Sequence, residues 1–198
     1  IKNEKVRGMF QSIYFLPYVT SLVAIGIVWS WLFNSEYGII NFILGKVGIS
    51  PINWLNDPKY AMIALIIFAV WKSLAFNTLI LTTGIASINP QYYQAAKIDQ
   101  ATSGTIFRKI TVKLVSPMIA YTYVISLIAA FKVYTEVYVL FGGRTLDGAV
   151  STVVRYIIDR FYGDQDFPLA FSASVVLLVI ILTVTLVQKT VARNKIHY

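Results

Sequence analysis

Residues 167–188, FPLAFSASVVLLVIILTVTLVQ, contain no charged side chain. A helix needs about 20 consecutive apolar residues to cross the hydrocarbon core of a bilayer. The run is too long for a buried strand, and it cannot be an amphipathic surface helix because apolar residues occupy every helical face. This stretch therefore predicts a transmembrane helix, which makes the chain a membrane protein before any other feature is considered.

Three further apolar stretches of similar length lie at 11–33, 60–84 and 114–141. Few charges interrupt them: Lys72 lies in the second of the three, and Lys132 and Glu136 lie in the third. We therefore predict an all-α fold, a polytopic transmembrane helical bundle with four spans. The predicted domain covers the whole chain.

The composition agrees with a membrane bundle. Of the 198 residues, 57% are hydrophobic and 13% are charged, whereas a soluble domain carries about 25% charged residues. The chain has no cysteine, and its single histidine is His197. It therefore offers neither a cysteine-ligated metal site nor a histidine cluster, and we expect it to bind no metal and no cofactor of its own.

The net charge of +8 is distributed unevenly. The two ends of the chain and the connection between the second and third spans carry ten basic residues and two acidic ones. The basic ones are Lys2, Lys5, Arg7, Lys97, Arg108, Lys109, Lys113, Lys189, Arg193 and Lys195. Because cytoplasmic loops hold the excess of Lys and Arg, we predict that both termini and the middle connection are cytoplasmic. The predicted membrane topology then accounts for the positive net charge, and no nucleic-acid partner is expected.

The middle connection, at 86–116, is long for a link between two spans. Asn89-Pro90 is a helix-start signal, and residues 99–104 are of the kinds that end or turn a helix. We predict a helix, a break and a second helix. Two functions fit this pattern about equally well. The small side chains of Ala95-Ala96 would let another protein's backbone come close, or the helix would lie on anionic membrane lipid.

This connection resembles the signature loop of binding-protein-dependent ABC importer permeases, and the resemblance is closest to the maltose-type (carbohydrate) branch. The family signature is Glu-Ala-Ala, three residues, Gly, nine residues and then Ile-x-Leu-Pro. Ala95, Ala96 and Ile110 match it. Asp99 and Ala101 are residues that often flank the signature glycine. Stretches in the same order as in the family extend the resemblance across nearly the whole chain: FLPY at 15–18, YGIIN at 37–41, NWL at 53–55 and FGG at 141–143.

The sequence departs from the signature at several positions. Gln94 stands in place of Glu and Gln100 in place of Gly. Val112 and Lys113 stand in place of Leu and Pro. A Gln held at positive φ costs on the order of 1 kcal/mol relative to Gly. The bend is therefore expected either at Gln100 or at Gly104.

The resemblance implies that the loop forms coupling helices that dock in a groove on a cytoplasmic ATPase subunit. The residues to which this role is assigned are Tyr93, Gln94, Ala95, Ala96, Asp99, Gln100, Ala101, Phe107 and Ile110. It also implies a second, generally non-identical permease subunit, an ATPase dimer that holds ATP and Mg²⁺, and an extracytoplasmic solute-binding protein. The chain has no glycine-rich phosphate loop, so ATP hydrolysis is expected on the partner subunit.

The resemblance also bears on location and extent. It places the chain in the bacterial cytoplasmic (inner) membrane. Family members usually have six or more spans, and the four predicted here correspond to the last four. Two N-terminal spans are therefore expected to lie outside this sequence.

Each charged side chain inside a predicted span costs about 2.5–3.5 kcal/mol on insertion scales. The presence of such side chains therefore needs a structural or functional explanation. On a continuous helix, Lys132 and Glu136 are spaced i,i+4 and share a face with Tyr121. We predict that this face, together with Lys72, lines a water-filled path suited to a sugar. The alternative is a structural ion pair near the membrane edge, with Lys72 extending to the interface.

The function implied by the resemblance is the permease subunit of an ATP-driven importer that moves a sugar or oligosaccharide by alternating access. Three alternatives stay open. They are an importer for another solute such as a glycerol phosphate, an ATP-independent channel or secondary transporter, and a membrane-embedded enzyme. The enzyme would need paired acidic or histidine side chains at an interface, and the cytoplasmic side offers only Glu4, Asp99 and His197.

Overall fold

The computed structural model describes the backbone of residues 15–195 and the side chains of residues 15–190. That backbone is helical and contains no β-strand, which confirms the all-α prediction. The helices are α1 (Leu22–Leu32), α2 (Ile39–Lys46), α3 (Pro58–Ala86), α4 (Pro90–Ile98), α5 (Ser103–Phe131), α6 (Thr135–Phe141), α7 (Val153–Ile158) and α8 (Phe167–Lys195). Two segments are π-helical: Phe107–Thr111 within α5, and Asp159–Gly163 directly after α7.

Three helices of the described part are long and apolar enough to cross a membrane, namely α3, α5 and α8. At most 22% of the residues in their apolar windows are buried within the chain. The rest of this apolar surface must be covered by lipid or by another subunit, because water would not tolerate so large an exposed apolar area.

Two of the predicted spans, 60–84 and 167–188, coincide with α3 and α8. The first, 11–33, is described only from residue 15, and its first four residues and the basic N-terminal cluster lie outside the described part. Its described portion is a helical stretch at 15–19, a break at 20–21 and then α1. The prediction of four spans is therefore approximate. The described part contains three long apolar helices and the shorter α1.

The prediction of one continuous span over 114–141 is wrong, because the helix is interrupted at 132–134. At the interruption, the Thr152 hydroxyl donates to the backbone carbonyl of Val133 at 2.6 Å. A side chain from a distant part of the sequence thus satisfies a carbonyl that a continuous helix would satisfy with its own N–H. The Val and Tyr at the break have only moderate helix propensity, so this tertiary contact decides the local structure.

The buried core lies where α1, α3 and α6 meet, and its largest fully buried side chains are Phe33, Phe68, Phe141, Val137 and Val150. The Trp29 ring packs against the rings of Phe33 and Phe68, with centroid distances of 5.2 and 5.7 Å. Gly26 of α1 faces Val139 of α6 so closely that a Cβ at position 26 would overlap the valine side chain. A small residue at the contact is a common means of close helix packing in membranes.

One buried amide organises the segment at 34–57, which contains α2. Asn41 is 6% exposed. Its Oδ1 accepts hydrogen bonds from Trp54 Nε1 at 2.9 Å and from the Ile52 N–H at 3.1 Å, and its Nδ2 donates to the Ile52 carbonyl at 2.8 Å. These bonds tie α2 to the segment that leads into α3. They also give a structural role to two stretches that carry the sequence resemblance, YGIIN at 37–41 and NWL at 53–55.

The chain path separates two ends of the bundle. The segment 34–57 precedes the N terminus of α3, and α4 follows its C terminus. With 29 residues, α3 spans roughly 43 Å. α5 packs against α3, and α8 packs against α5 and α7. The assignment of the α4 end to the cytoplasm stays a prediction from the charge distribution.

Candidate functional site

The predicted helix, break and helix of the 86–116 connection are confirmed as α4, residues 99–102 and the start of α5. Asn89 Oδ1 accepts the Gln91 N–H at 2.9 Å, and Pro90 follows as the first helical residue. This is the arrangement that satisfies a free N–H at a helix start. The Asn89-Pro90 signal therefore begins a helix, as predicted from the sequence.

The break is a Schellman motif centred on Gln100, whose φ is +55°. The N–H of Gln100 bonds to the Lys97 carbonyl at 3.1 Å, and the N–H of Ala101 bonds to the Ala96 carbonyl at 3.0 Å. Glycine is the usual residue at such a left-handed position. The bend thus lies at Gln100, where the family has glycine, while Gly104 lies inside the first turn of α5.

Replacing Gln100 with Gly is expected to raise the free energy of unfolding by about 0.5–1 kcal/mol, because glycine adopts the left-handed conformation without a Cβ clash. The measurement is the thermal unfolding of the purified protein. The control is Gln94→Gly in the middle of α4, which should destabilise by about 1 kcal/mol because its φ is helical. A stability loss in both variants would contradict the strain at residue 100.

The predicted coupling residues divide into a buried or half-buried set on the side of α5 and an exposed set. Tyr93 Oη lies 3.1 Å from the hydroxyl of Thr111 in the π-helical segment, and Ala96 is buried. Phe107 is exposed, and so is Ile98, at 81%, although Ile98 was not among the predicted coupling residues. The other exposed members are Gln94, Ala95, Asp99 and Gln100, and Ala101 and Ile110 are half-buried. α4 is therefore held firmly against α5 while its outer side is uncovered.

A groove of about 440 Å³ lies between α3, α5 and α6. Its charged lining residues are Lys72 and Glu136, and Lys72 Nζ lies 2.9 Å from Glu136 Oε1. Two of the predicted path residues therefore meet in one groove, and they pair with each other across two helices. Nothing in the local spacing of the sequence indicated this partner for Glu136.

The alternative interpretation, an ion pair between Lys132 and Glu136, is wrong, because Glu136 pairs with Lys72. The break at 132–134 removes the i,i+4 geometry on which that pairing depended, since Lys132 ends α5 and Glu136 lies in the first turn of α6. Lys132 is exposed, as is Tyr121, and neither is among the residues that line the groove. The structure thus brings Glu136 and Lys72 together and leaves the other two predicted residues outside.

Several groove residues with polar or aromatic side chains were not predicted from the sequence. Asn77 Nδ2 donates to Ser126 Oγ at 3.2 Å, which links α3 to α5. The rings of Tyr18 and Phe76 stack with centroids 5.4 Å apart. The amide in the largely apolar stretch 60–84 is a signal that could have been used, because polar groups inside spans generally face a bundle interior or a water-filled cavity. The groove combines aromatic faces with hydrogen-bonding groups.

Residues 1–197 match the protein family described as binding-protein-dependent transport system inner membrane component. The trehalose/maltose transport system permease protein MalF of Thermococcus litoralis is 32% identical over 195 residues, which are 98% of this chain and 65% of that protein. The arabinooligosaccharides transport system permease protein AraP of Bacillus subtilis is 31% identical over 188 residues, 94% of this chain and 60% of that protein. The chain thus spans less than two thirds of the length of these two relatives.

A similar structure is that of a bacterial ABC transporter involved in the import of the acidic polysaccharide alginate. It superposes with a TM-score of 0.86 at 24% sequence identity, and the match covers 98% of this chain and 68% of that chain. At this identity the likeness establishes the fold. Together with the family match over nearly the full sequence, it accounts for the helix order, the long apolar helices and the α4 connection. The chain belongs to the family of binding-protein-dependent transport system inner membrane components, which are multi-pass proteins of the inner membrane.

Proposed function

We propose that the chain is the permease subunit of an ATP-driven importer that moves a sugar or oligosaccharide across the inner membrane. The observation that carries this proposal is α4, a short helix fixed between two long apolar helices with an uncovered outer side. The Tyr93–Thr111 hydrogen bond and the turn at Gln100 hold it against α5. A helix fixed in this way can pass the movement of a docked ATPase subunit into the bundle.

The surfaces that the chain leaves uncovered support the proposed partners. The exposed Ile98 and Phe107 would be covered by an ATPase dimer that binds ATP and Mg²⁺. Part of the apolar surface of α3, α5 and α8 would be covered by a second permease subunit, and lipid would cover the rest. The opposite end, with α2 and residues 142–166, would face the solute-binding protein.

The choice of a sugar rests on the groove and on the relatives. Stacked aromatic rings and paired amide and hydroxyl groups suit a solute with apolar ring faces and many hydroxyl groups. The named relatives transport trehalose/maltose and arabinooligosaccharides, and a further one, the lactose transport system permease protein LacF of Rhizobium radiobacter, is 32% identical over 202 residues. A glycerol phosphate is the alternative solute in the same type of importer.

The proposal is tested with the complete importer, including its ATPase and binding protein, reconstituted in vesicles. We expect uptake of a labelled neutral oligosaccharide when ATP is supplied on the ATPase side, and none when an ATPase with an inactivated catalytic site is used. Uptake that continues on an ion gradient after ATP depletion would overturn the proposal and support a channel or a secondary transporter. Uptake of glycerol phosphate alone would overturn the sugar assignment.

A further inference from the structure

The two charged side chains of the groove neutralise each other. Lys72 comes from the middle of α3 and Glu136 from the start of α6, and their side chains are 32% and 15% exposed. No other Asp, Glu, Lys, Arg or His is among the described residues that line the groove. The lining therefore has a net charge near zero, although it contains a lysine that could otherwise attract an anion.

Glu136 lies on the same side as the other groove residues of α5 and α6. The lining residues Ile125, Ala129, Val133 and Glu136 follow one another at spacings of four, four and three, which is the spacing of one helical face. This face continues across the break at 132–134. Glu136, in the first turn of α6, therefore meets Lys72 of α3.

A charged solute and a neutral one meet this lining differently. An anionic solute must give up part of its hydration on entering the groove, and that loss has to be offset by a cation or by hydrogen bonds. The Lys72 ammonium is already paired at 2.9 Å, and the Glu136 carboxylate repels a second anion. A neutral saccharide loses no ionic hydration and finds the amide, hydroxyl and aromatic groups of the same groove.

We propose that the Lys72–Glu136 pair is a specificity-determining element that restricts the groove to uncharged saccharides and disfavours acidic ones, such as uronates and sugar phosphates. This inference rests on the proposed function, because it takes the groove to be part of the sugar path. A pair that served only to hold α3 and α6 together would leave the discrimination between neutral and acidic sugars unaffected.

The test measures binding of two probes to the purified complex of permease and ATPase subunits, without the solute-binding protein, because that protein selects solutes by itself. The probes are a neutral trisaccharide and a uronate trisaccharide of the same linkage. The unmodified complex should bind the neutral probe at least about tenfold more tightly. Equal binding of the two probes by the unmodified complex would overturn the proposal without any variant.

Variants then change the charge of the groove one step at a time. Glu136→Gln leaves Lys72 unpaired and should raise the ratio of acidic to neutral binding by about tenfold. Lys72→Gln leaves Glu136 unpaired and should lower that ratio. The exchanged variant Lys72→Glu/Glu136→Lys keeps a pair and should preserve the original ratio, which also controls for assembly. A ratio that is the same in all three variants would overturn the proposal.

The outcomes separate this inference from the proposed function. If neutral sugar is taken up with ATP but the binding ratio does not respond to the single substitutions, the charge inference is wrong and the importer stands. If the complex shows no ATP-driven uptake of any sugar, the proposed function is wrong. The binding ratio is read in the absence of transport, so the two results are obtained independently.

Discussion

Replacing Ile98 with Asp is expected to abolish co-purification of the ATPase subunits and ATP-driven uptake while leaving membrane insertion intact. Ile98 ends α4 and, at 81% exposure, is the most exposed large hydrophobic side chain of the described part. Burying it against a partner would contribute about 1.5–3 kcal/mol. An aspartate at the same place would bring an unpaired charge into the contact, so the affinity should fall by about 100-fold or more.

The matched control for this substitution lies at the other end of the bundle. Val47, directly after α2, is 70% exposed, and Val47→Asp makes the same kind of change at the opposite end from the proposed ATPase contact. It should leave ATPase co-purification unchanged, as should the conservative Ile98→Leu. Normal co-purification with Ile98→Asp would show that α4 does not carry the contact. That result would favour the interpretation of α4 as a helix lying on the lipid surface.

Features that depend on neighbouring residues were predictable from the sequence. The uncharged run at 167–188 became α8, and the stretch 60–84 became α3, because the requirement for a long apolar helix is local and strong. Asn89 and Pro90 began α4 because capping and the fixed φ of proline act over one turn. Such signals need no knowledge of distant contacts.

Features that depend on distant contacts were not predictable in the same way. The interruption at 132–134 involves the Thr152 side chain, and no local pattern indicates that a hydroxyl will take the Val133 carbonyl. The i,i+4 spacing of Lys132 and Glu136 was therefore misleading, since it holds only on a continuous helix. The pairing of Lys72 with Glu136 joins two side chains that are 64 residues apart in the sequence, and so the groove could be predicted only in part.

The turn after α4 shows an intermediate case. Local residue preference favours glycine at the left-handed position, which left Gln100 and Gly104 as two possible sites for the bend. In the structure, Gln100 takes the positive φ, and the hydrogen bonds to Ala96 and Lys97 close the helix there. The turn thus lies directly after α4 and not at Gly104, and Gln100 takes the strain of the positive φ.

Replacing Asn41 with Leu is expected to lower the free energy of unfolding by roughly 3 kcal/mol. Leucine is close in size but has no polar group, so Trp54 Nε1 and both backbone groups of Ile52 lose their partner. Each buried polar group left without a hydrogen bond costs about 1–3 kcal/mol, and the costs of neighbouring groups do not add in full. The measurement is thermal unfolding of the protein in lipid nanodiscs.

Asn53→Leu is the matched control, because it makes the same substitution in the same segment. Asn53 is exposed, and its side chain accepts a single hydrogen bond from another side chain, that of Asn56. Its replacement should change stability by no more than about 0.5 kcal/mol. Limited proteolysis adds a local readout: Asn41→Leu should open the 34–57 segment to cleavage before the rest of the chain. Equal melting temperatures for the two variants, with equal resistance to cleavage, would contradict the view that one buried amide holds this end of the bundle together.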